Sequence, residues 1–343
     1  MQSVFCFRPI YQERPWGGHA IGRWGGHKDC PAGKKIGEAW EISDRQNDES
    51  IISNGEFEGK SIRWLLDHHG MFVMGRAWER GRRFPLLIKI LDAAHRMSLQ
   101  VHPPPEIAKT LGGEPKTEMW YLLDAQPRAG LVAGLKRNVT REDFEKALRE
   151  EKLDPLLHHV PVKQGDALHI PSGRIHAIGG GCLIFEVQQN SDTTYRVYDW
   201  GHVGLDGKPR PLHVEQSLKC IDFDDYEPGL LQPAEVHTSD CRRSRTLFKN
   251  AILPGNVNRL LVSSEHFTVI WHHERRDRRT FHDMTNLDGP VVMHILNGGM
   301  EISGEHGESV HVEKGDTVLL AATVHKIHPH ETGAECLIVL EKE

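Results

Sequence analysis

Four side chains in the first half of the sequence have the types and spacing of a metal-binding set. Gln100 and His102, in Ser98-Leu-Gln100-Val-His102-Pro, stand two apart, so on an extended strand both project to one face. Glu118 enters the next apolar run, Lys116-Thr-Glu118-Met-Trp-Tyr, and His176 follows the loop Pro171-Ser-Gly-Arg. Two imidazoles, one carboxylate and one amide oxygen make a nitrogen and oxygen donor set. Such a set suits Zn2+, with Fe2+ or Mn2+ chemically open. Each residue alone has an ordinary reading, as a hydrogen-bonded histidine or as Glu118 paired with Lys116 or Arg174. The combination is more specific than its parts, because a single barrel would bring His102, Glu118 and His176 together.

The elements around these residues read as strands. Gly (33) and Pro (19) punctuate short apolar runs over most of the chain, which favours many short strands over long helices. The patterns predict strands at Leu86–Leu91, Met97–Val101, Met119–Leu123, Ala167–Ile170, Leu183–Gln188, Phe267–Trp271, Val291–Leu296, Thr317–Ala321 and Glu335–Leu340. Helical spacing occurs at Ser61–Met74 and at Thr140–Leu157, where Thr140 and Asp143 resemble a capping box. An internal similarity supports two units. Lys163-Gln-Gly-Asp-Ala-Leu-His-Ile-Pro-Ser-Gly-Arg-Ile-His176 is similar to Glu313-Lys-Gly-Asp-Thr-Val-Leu-Leu-Ala-Ala-Thr-Val-His325. Each has a Gly-Asp pair, suited to a tight turn between antiparallel strands, then a strand, a loop, a His and an apolar strand. This resembles the second half of a cupin, a small double-sheet barrel of the jelly-roll type. The expectation is a mainly β chain of two cupin-like jelly-roll barrels with a few short helices. The first would span 1–230, with amino-terminal strands and a helical insertion near 140–157. The second would span 231–343, and with only His325 at the equivalent place it reads as metal-free. The polar, poorly periodic stretch Asp222–Arg245 marks the boundary.

Composition narrows the partners. Hydrophobic residues at 38% and charged residues at 26% describe a folded globular chain, and a net charge of −6 argues against a nucleic-acid groove. No apolar run approaches the roughly 20 residues of a membrane span, and the first residues show no secretion signal. Six cysteines (Cys6, Cys30, Cys182, Cys220, Cys241, Cys336) without a CxxC pair predict a reduced, cytoplasmic chain with no thiolate zinc site. The chain reads as a monomer or homodimer. No GxxxxGK loop supports nucleotide hydrolysis.

Many blocks together resemble type I phosphomannose isomerases (mannose-6-phosphate isomerases) in their short bacterial form. They are Glu13-Arg-Pro-Trp16-Gly-Gly18, Ile36-Gly-Glu38-Ala-Trp40-Glu-Ile-Ser43, Val73-Met-Gly75, Leu87-Ile-Lys89-Ile-Leu-Asp92-Ala, Leu99-Gln100-Val-His102-Pro103, Lys116-Thr-Glu118-Met-Trp120-Tyr, Pro171-Ser-Gly173-Arg-Ile-His176-Ala and Glu186-Val-Gln-Gln-Asn-Ser191-Asp192-Thr-Thr-Tyr-Arg196-Val-Tyr-Asp199-Trp-Gly201. The resemblance covers about the first 220 residues; the remainder is similar only loosely. It implies one zinc held by Gln100, His102, Glu118 and His176. It implies Arg196, Glu186 and Asp192 in the active cleft, Lys116 beside the metal, and Lys89 and Ser98 toward a sugar phosphate. Two departures stand out. His202 follows Asp199-Trp-Gly where such relatives usually have Arg, and Pro103-Pro104-Pro105 replaces the commoner Pro-Asp-Asp/Asn.

The implied reaction moves a proton between C1 and C2 of mannose 6-phosphate and fructose 6-phosphate through an enediol. A base near C1 and C2 needs a pKa near neutrality, and Glu186 and Lys116 are both candidates. Arg196 is the better clamp for developing negative charge because it stays protonated. Lys89, Arg174 and Arg196 are the cations available to a phosphate. A cupin that binds a sugar without turnover is the alternative. An iron oxygenase is disfavoured, since Gln100 stands where a third nitrogen ligand would be expected.

Overall fold

The computed structural model describes residues 1–235, 257–274, 282–284, 289–304, 307–323, 325–329 and 333–342. Its central strands are buried along their whole length, so side-chain alternation sorts residues between two cores instead of between core and water. In Leu86–Ala93, Leu86, Ile88 and Ile90 enter one core while Leu91 and Ala93 enter another. Glu118–Ala125 divides the same way, with Met119, Tyr121 and Leu123 on one side and Trp120 and Leu122 on the other.

Stacked β layers result, and each predicted strand has an observed counterpart. A five-stranded sheet runs in the order Leu157–Pro161, Gly130–Leu135, His176–Ile178, Leu99–Val101, Tyr195–Tyr198. It faces a six-stranded sheet in the order Ala167–Ile170, Glu118–Ala125, Cys182–Gln189, Leu86–Ala93, Ile36–Ile42, Ile10–Gly18. The other face of the six-stranded sheet packs on an eight-stranded sheet through Phe185 and Val187 on one side and Phe267, Val269, Leu337 and Val339 on the other. That sheet in turn covers a four-stranded one, with Ile270, Val291, Met293, Ile338 and Met300 between them. The first strand, Val4–Arg8, pairs with Thr317–Leu320, so the amino-terminal segment belongs to the carboxy-terminal sheet.

Both predicted helices form, one of them shorter than expected. Ile62–Met74 starts at Ser61, whose side chain accepts from the Trp64 amide. Arg141–Arg149 carries the Thr140/Asp143 capping box but stops well before Leu157. Glu151 takes a left-handed φ of 56°, and the Glu151 and Lys152 amides donate to the Leu148 and Ala147 carbonyls. This Schellman closure ordinarily advertises itself with glycine, and here a glutamate fills the position. A single tight helical turn, Asp154–Leu156, with Pro155 in its first positions, follows before a strand begins at Leu157. The Gly-Asp pairs also differ from expectation. Gly165 and Gly315, at φ 86° and 95°, carry the chain from one sheet of a lobe to the facing sheet, and do not close a hairpin between neighbouring strands. The part of Asp222–Arg245 beyond residue 235 lies outside the described residues.

Candidate metal centre and active cleft

Strand register assembles the centre. His176 lies directly opposite Gln100 on one neighbouring strand, and Arg196 lies opposite Gln100 on the other. Residues directly opposite in an antiparallel pair share a face, so all three point into the barrel. From the facing sheet, Glu118 enters at the start of its strand and Trp120 two residues on, opposite Glu186, which is itself opposite Lys89.

His102, Glu118 and His176 are fully buried, and their ligand atoms all lie within 4.8 Å of one another; among the described residues no other group of His, Cys, Asp and Glu does this. His102 Nε2 is 3.4 Å from one Glu118 oxygen and His176 Nε2 is 3.4 Å from the other. Each imidazole is oriented from behind. His102 Nδ1 donates to the Thr193 carbonyl and His176 Nδ1 to the Arg174 carbonyl, both at 2.9 Å. That fixes the tautomer and turns each Nε2 lone pair inward. Neither Nε2 has a hydrogen-bond partner, nor does Glu118 Oε1. Glu118 Oε2 has the Lys116 ammonium at 2.9 Å, an ion contact outside hydrogen-bond geometry. Orphaned donor atoms in a dry interior are costly unless a ligand occupies them. Their spacing fits a small cation: bonds of about 2.0–2.1 Å at tetrahedral angles put ligand atoms roughly 3.3 Å apart. Burial lowers the His176 pKa to about 3 and lowers that of His102, so both are neutral ligands near pH 7. Glu118 is pulled well below the ordinary carboxylate value, since Lys116 and the histidines outweigh the effect of its burial.

Around this centre the barrel carries a row of charges. Burial and the Glu118 carboxylate raise Glu186 to about 7, against the opposing pull of Lys116, Lys89 and the Trp120 N–H. Trp120 Nε1 donates to Glu186 Oε1 at 2.9 Å. Burial would lower the pKa of Lys116, but Glu118 and Glu186 hold it above the ordinary lysine value. Lys89 sits 3.5 Å from Glu38 and 3.9 Å from Glu186. Arg196 ties one nitrogen to the Pro211 carbonyl at 2.8 Å, while its buried Nε has no hydrogen-bond partner. Ser98 is buried two residues before Gln100, and Asp192 is exposed on the loop before Tyr195–Tyr198, close enough to raise the pKa of Lys116.

One predicted residue is held elsewhere. Arg174 makes a bidentate pair with Asp225, at 2.8 and 2.7 Å, and reaches the centre only through its carbonyl. Glu38, Trp40 and Arg14 line the barrel although no role was given to them; their place in the resembling blocks around Arg14 and Glu38, and the i, i+2 spacing of Glu38 and Trp40 on one strand, were the signals. At the first departure, His202 lines a cavity of about 540 Å³ with Trp16, His95, Arg96 and Arg210, where Arg96 is paired with Asp154 and Arg210 with Asp199. At the second, Pro105 opens the short helix Pro105–Ala108, a position that proline tolerates well.

Comparison with known proteins agrees with this geometry. Residues 4–133 match the type I phosphomannose isomerase catalytic domain. The chain is 37% identical over 309 residues to the probable mannose-6-phosphate isomerase GmuF of Bacillus subtilis, covering 88% of this chain and 90% of that one. The crystal structure of a Bacillus subtilis mannose 6-phosphate isomerase superposes with a TM-score of 0.82 at 28% identity, covering 98% of this chain and 99% of the other. A mannose 6-phosphate isomerase crystallised with zinc and yttrium shares the fold, with a TM-score of 0.72 at 15% identity and full coverage of both chains (100% each). With relatives matched over nearly their whole length and a barrel that gathers the motif residues, the chain belongs to the type I phosphomannose isomerase family.

Proposed function

We propose that this chain is a zinc-dependent aldose–ketose isomerase that interconverts mannose 6-phosphate and fructose 6-phosphate. The observation that carries the reading is the buried set of unpartnered donors on His102, His176 and Glu118, beside a carboxylate, Glu186, raised to about 7. His102 Nε2, His176 Nε2, Glu118 and the Gln100 amide would hold the ion. Bound there, zinc supplies a Lewis acid that polarises a substrate carbonyl and favours negative charge on its oxygen. Glu118 contributes the single formal negative charge of the set, so a divalent cation is only half neutralised. Glu186 Oε1 is occupied by the Trp120 N–H, which leaves Oε2 to take the proton from C2 of the aldose and return it at C1. Arg196 offers its free Nε–H to the oxygen on which charge develops. Lys116, held protonated, donates to a substrate oxygen. Lys89 and Ser98 face the phosphate, Asp192 stands at the rim, and Arg174 acts by aligning His176.

A sugar-binding cupin without turnover is not favoured, because it has no use for a buried carboxylate poised near neutrality. Free thiols on the described cysteines support a cytoplasmic setting, and no described helix is long and apolar enough to cross a membrane. Division into two barrels near residue 230 remains our reading, with Val4–Arg8 lent to the second sheet. The test is a coupled assay with mannose 6-phosphate before chelation, after it, and after zinc restoration. Turnover should vanish and return. Unchanged turnover in fully metal-free protein overturns the zinc requirement, and tight sugar binding with no turnover overturns the isomerase.

A further inference from the structure

Lys89 stands in the barrel between two carboxylates. Its partner across the strand pair is Glu186, and a flexible four-carbon stem gives it every opportunity to collapse onto that carboxylate. It does not. The ammonium lies closer to Glu38 Oε2 (3.5 Å) than to Glu186 Oε2 (3.9 Å), over the face of Trp40 at 4.7 Å from the ring centroid. Glu38 is itself immobilised. Its Oε1 accepts from Arg14 Nε at 2.7 Å, and its Oε2 accepts from Trp40 Nε1 at 2.7 Å. Gly37 permits this arrangement: a Cβ there would lie 2.5 Å from Arg14 Cβ and 2.9 Å from Trp16, so any side chain would push Arg14 off Glu38.

We propose that Glu38 is the positioning residue for Lys89: clamped by Arg14 and Trp40, it holds the ammonium short of Glu186 and open to an anionic oxygen of the substrate. The charge count supports this. One ionised carboxylate is shared by two cations, so Lys89 keeps positive charge that Glu38 does not cancel. Glu186 in turn meets the ammonium only at 3.9 Å, against 3.5 Å for Glu38, so the ion pair that would remove it as a base stays long. The inference rests on the isomerase reading, because it supposes a sugar phosphate or its reacting oxygens as the anion.

The test is a double-mutant cycle on the zinc-loaded full chain with Glu38→Gln, Lys89→Gln and the pair, read by kcat/KM and by calorimetric Kd for mannose 6-phosphate. Glu38→Gln should lower kcat/KM about 10- to 100-fold with zinc content unchanged, the scale of a misplaced catalytic contact. In the Lys89→Gln background the same substitution should cost little more. A residue that merely supports the fold would cost the same in both backgrounds, and that additivity overturns the proposal, as does a Glu38→Gln variant with wild-type constants. Should Glu38→Gln fail to fold, Arg14→Gln loosens the same clamp from a side chain that is 32% exposed, and its loss should likewise be masked by Lys89→Gln. If wild-type protein binds but does not turn over, the isomerase reading falls, and the Kd cycle still decides the role of Glu38.

Discussion

His176 and His325 follow matching Gly-Asp-led strands in the two barrels, yet they spend opposite ring nitrogens on the backbone. His176 donates through Nδ1 to the Arg174 carbonyl and turns Nε2 toward Glu118. His325 donates through Nε2 to the Ala321 carbonyl. The barrels around them differ accordingly. Gln100, His102, Lys116, Glu118, Glu186 and Lys89 line the first. Val291, Met293, Ile295, Met300, Val318 and Ile338 fill the second. Apolar filling contributes stability in proportion to area removed from water, whereas buried polar groups cost free energy unless partnered. The same frame therefore supports chemistry in one copy and cohesion in the other.

The sharpest way to break that contrast is to remove one histidine from each barrel. His102→Ala should lose bound zinc and lower kcat/KM by about a hundredfold to a thousandfold or more, while His325→Ala should leave zinc content unchanged, as read by metal analysis beside the assay. A zinc loss in the second variant would erase the distinction. Within the first barrel, Glu186→Gln should lower kcat by about 10²- to 10⁴-fold with zinc retained. Arg196→Ala should lower kcat by about a hundredfold, far more than it lowers bound zinc; equal losses would make Arg196 structural. In the second barrel, Ile338→Ala should cost about 2–5 kcal/mol in denaturant unfolding and leave zinc stoichiometry intact in the folded protein.

The smallest effect lies where the barrels meet. Glu41 points away from the site and is buried with His27 Nε2 3.7 Å from its carboxylate. Burial, aided by Asp316, raises it from 4.5 to about 8 against the Thr317 hydrogen bond. A carboxyl whose folded pKa is raised contributes stability that is full below the unfolded value and is lost as pH climbs to the folded one. Wild-type Tm should therefore fall more steeply between pH 5 and pH 8 than that of Glu41→Gln. Parallel curves would mean that Glu41 is ionised throughout.

Much of the centre was legible because metal chemistry restricts residue types and strands impose a period of two. Gln100 and His102 had to share a face, and Glu118 and His176 offered matching donors at the entry to apolar runs. Register did the rest, and register between distant strands is not written locally. Nothing near Glu38 announces that its strand lies beside Leu86–Ala93, so the Arg14, Glu38, Lys89 row emerged only with the sheet order. Arg174 misled for the same reason: a cation next to a ligand loop looked available, but Asp225, brought in from the segment after Val214–Cys220, had already engaged it. The helix after Thr140 ran short because Glu151, not glycine, takes the left-handed turn.

Zinc-edge X-ray absorption on the purified chain, with the metal counted per protein, tests the central claim most directly. The expected result is one zinc per chain with nitrogen and oxygen neighbours at about 2.0–2.1 Å, and its loss in His102→Ala. Sulfur neighbours at about 2.3 Å, or a full spectrum surviving that substitution, would place the ion elsewhere and contradict it.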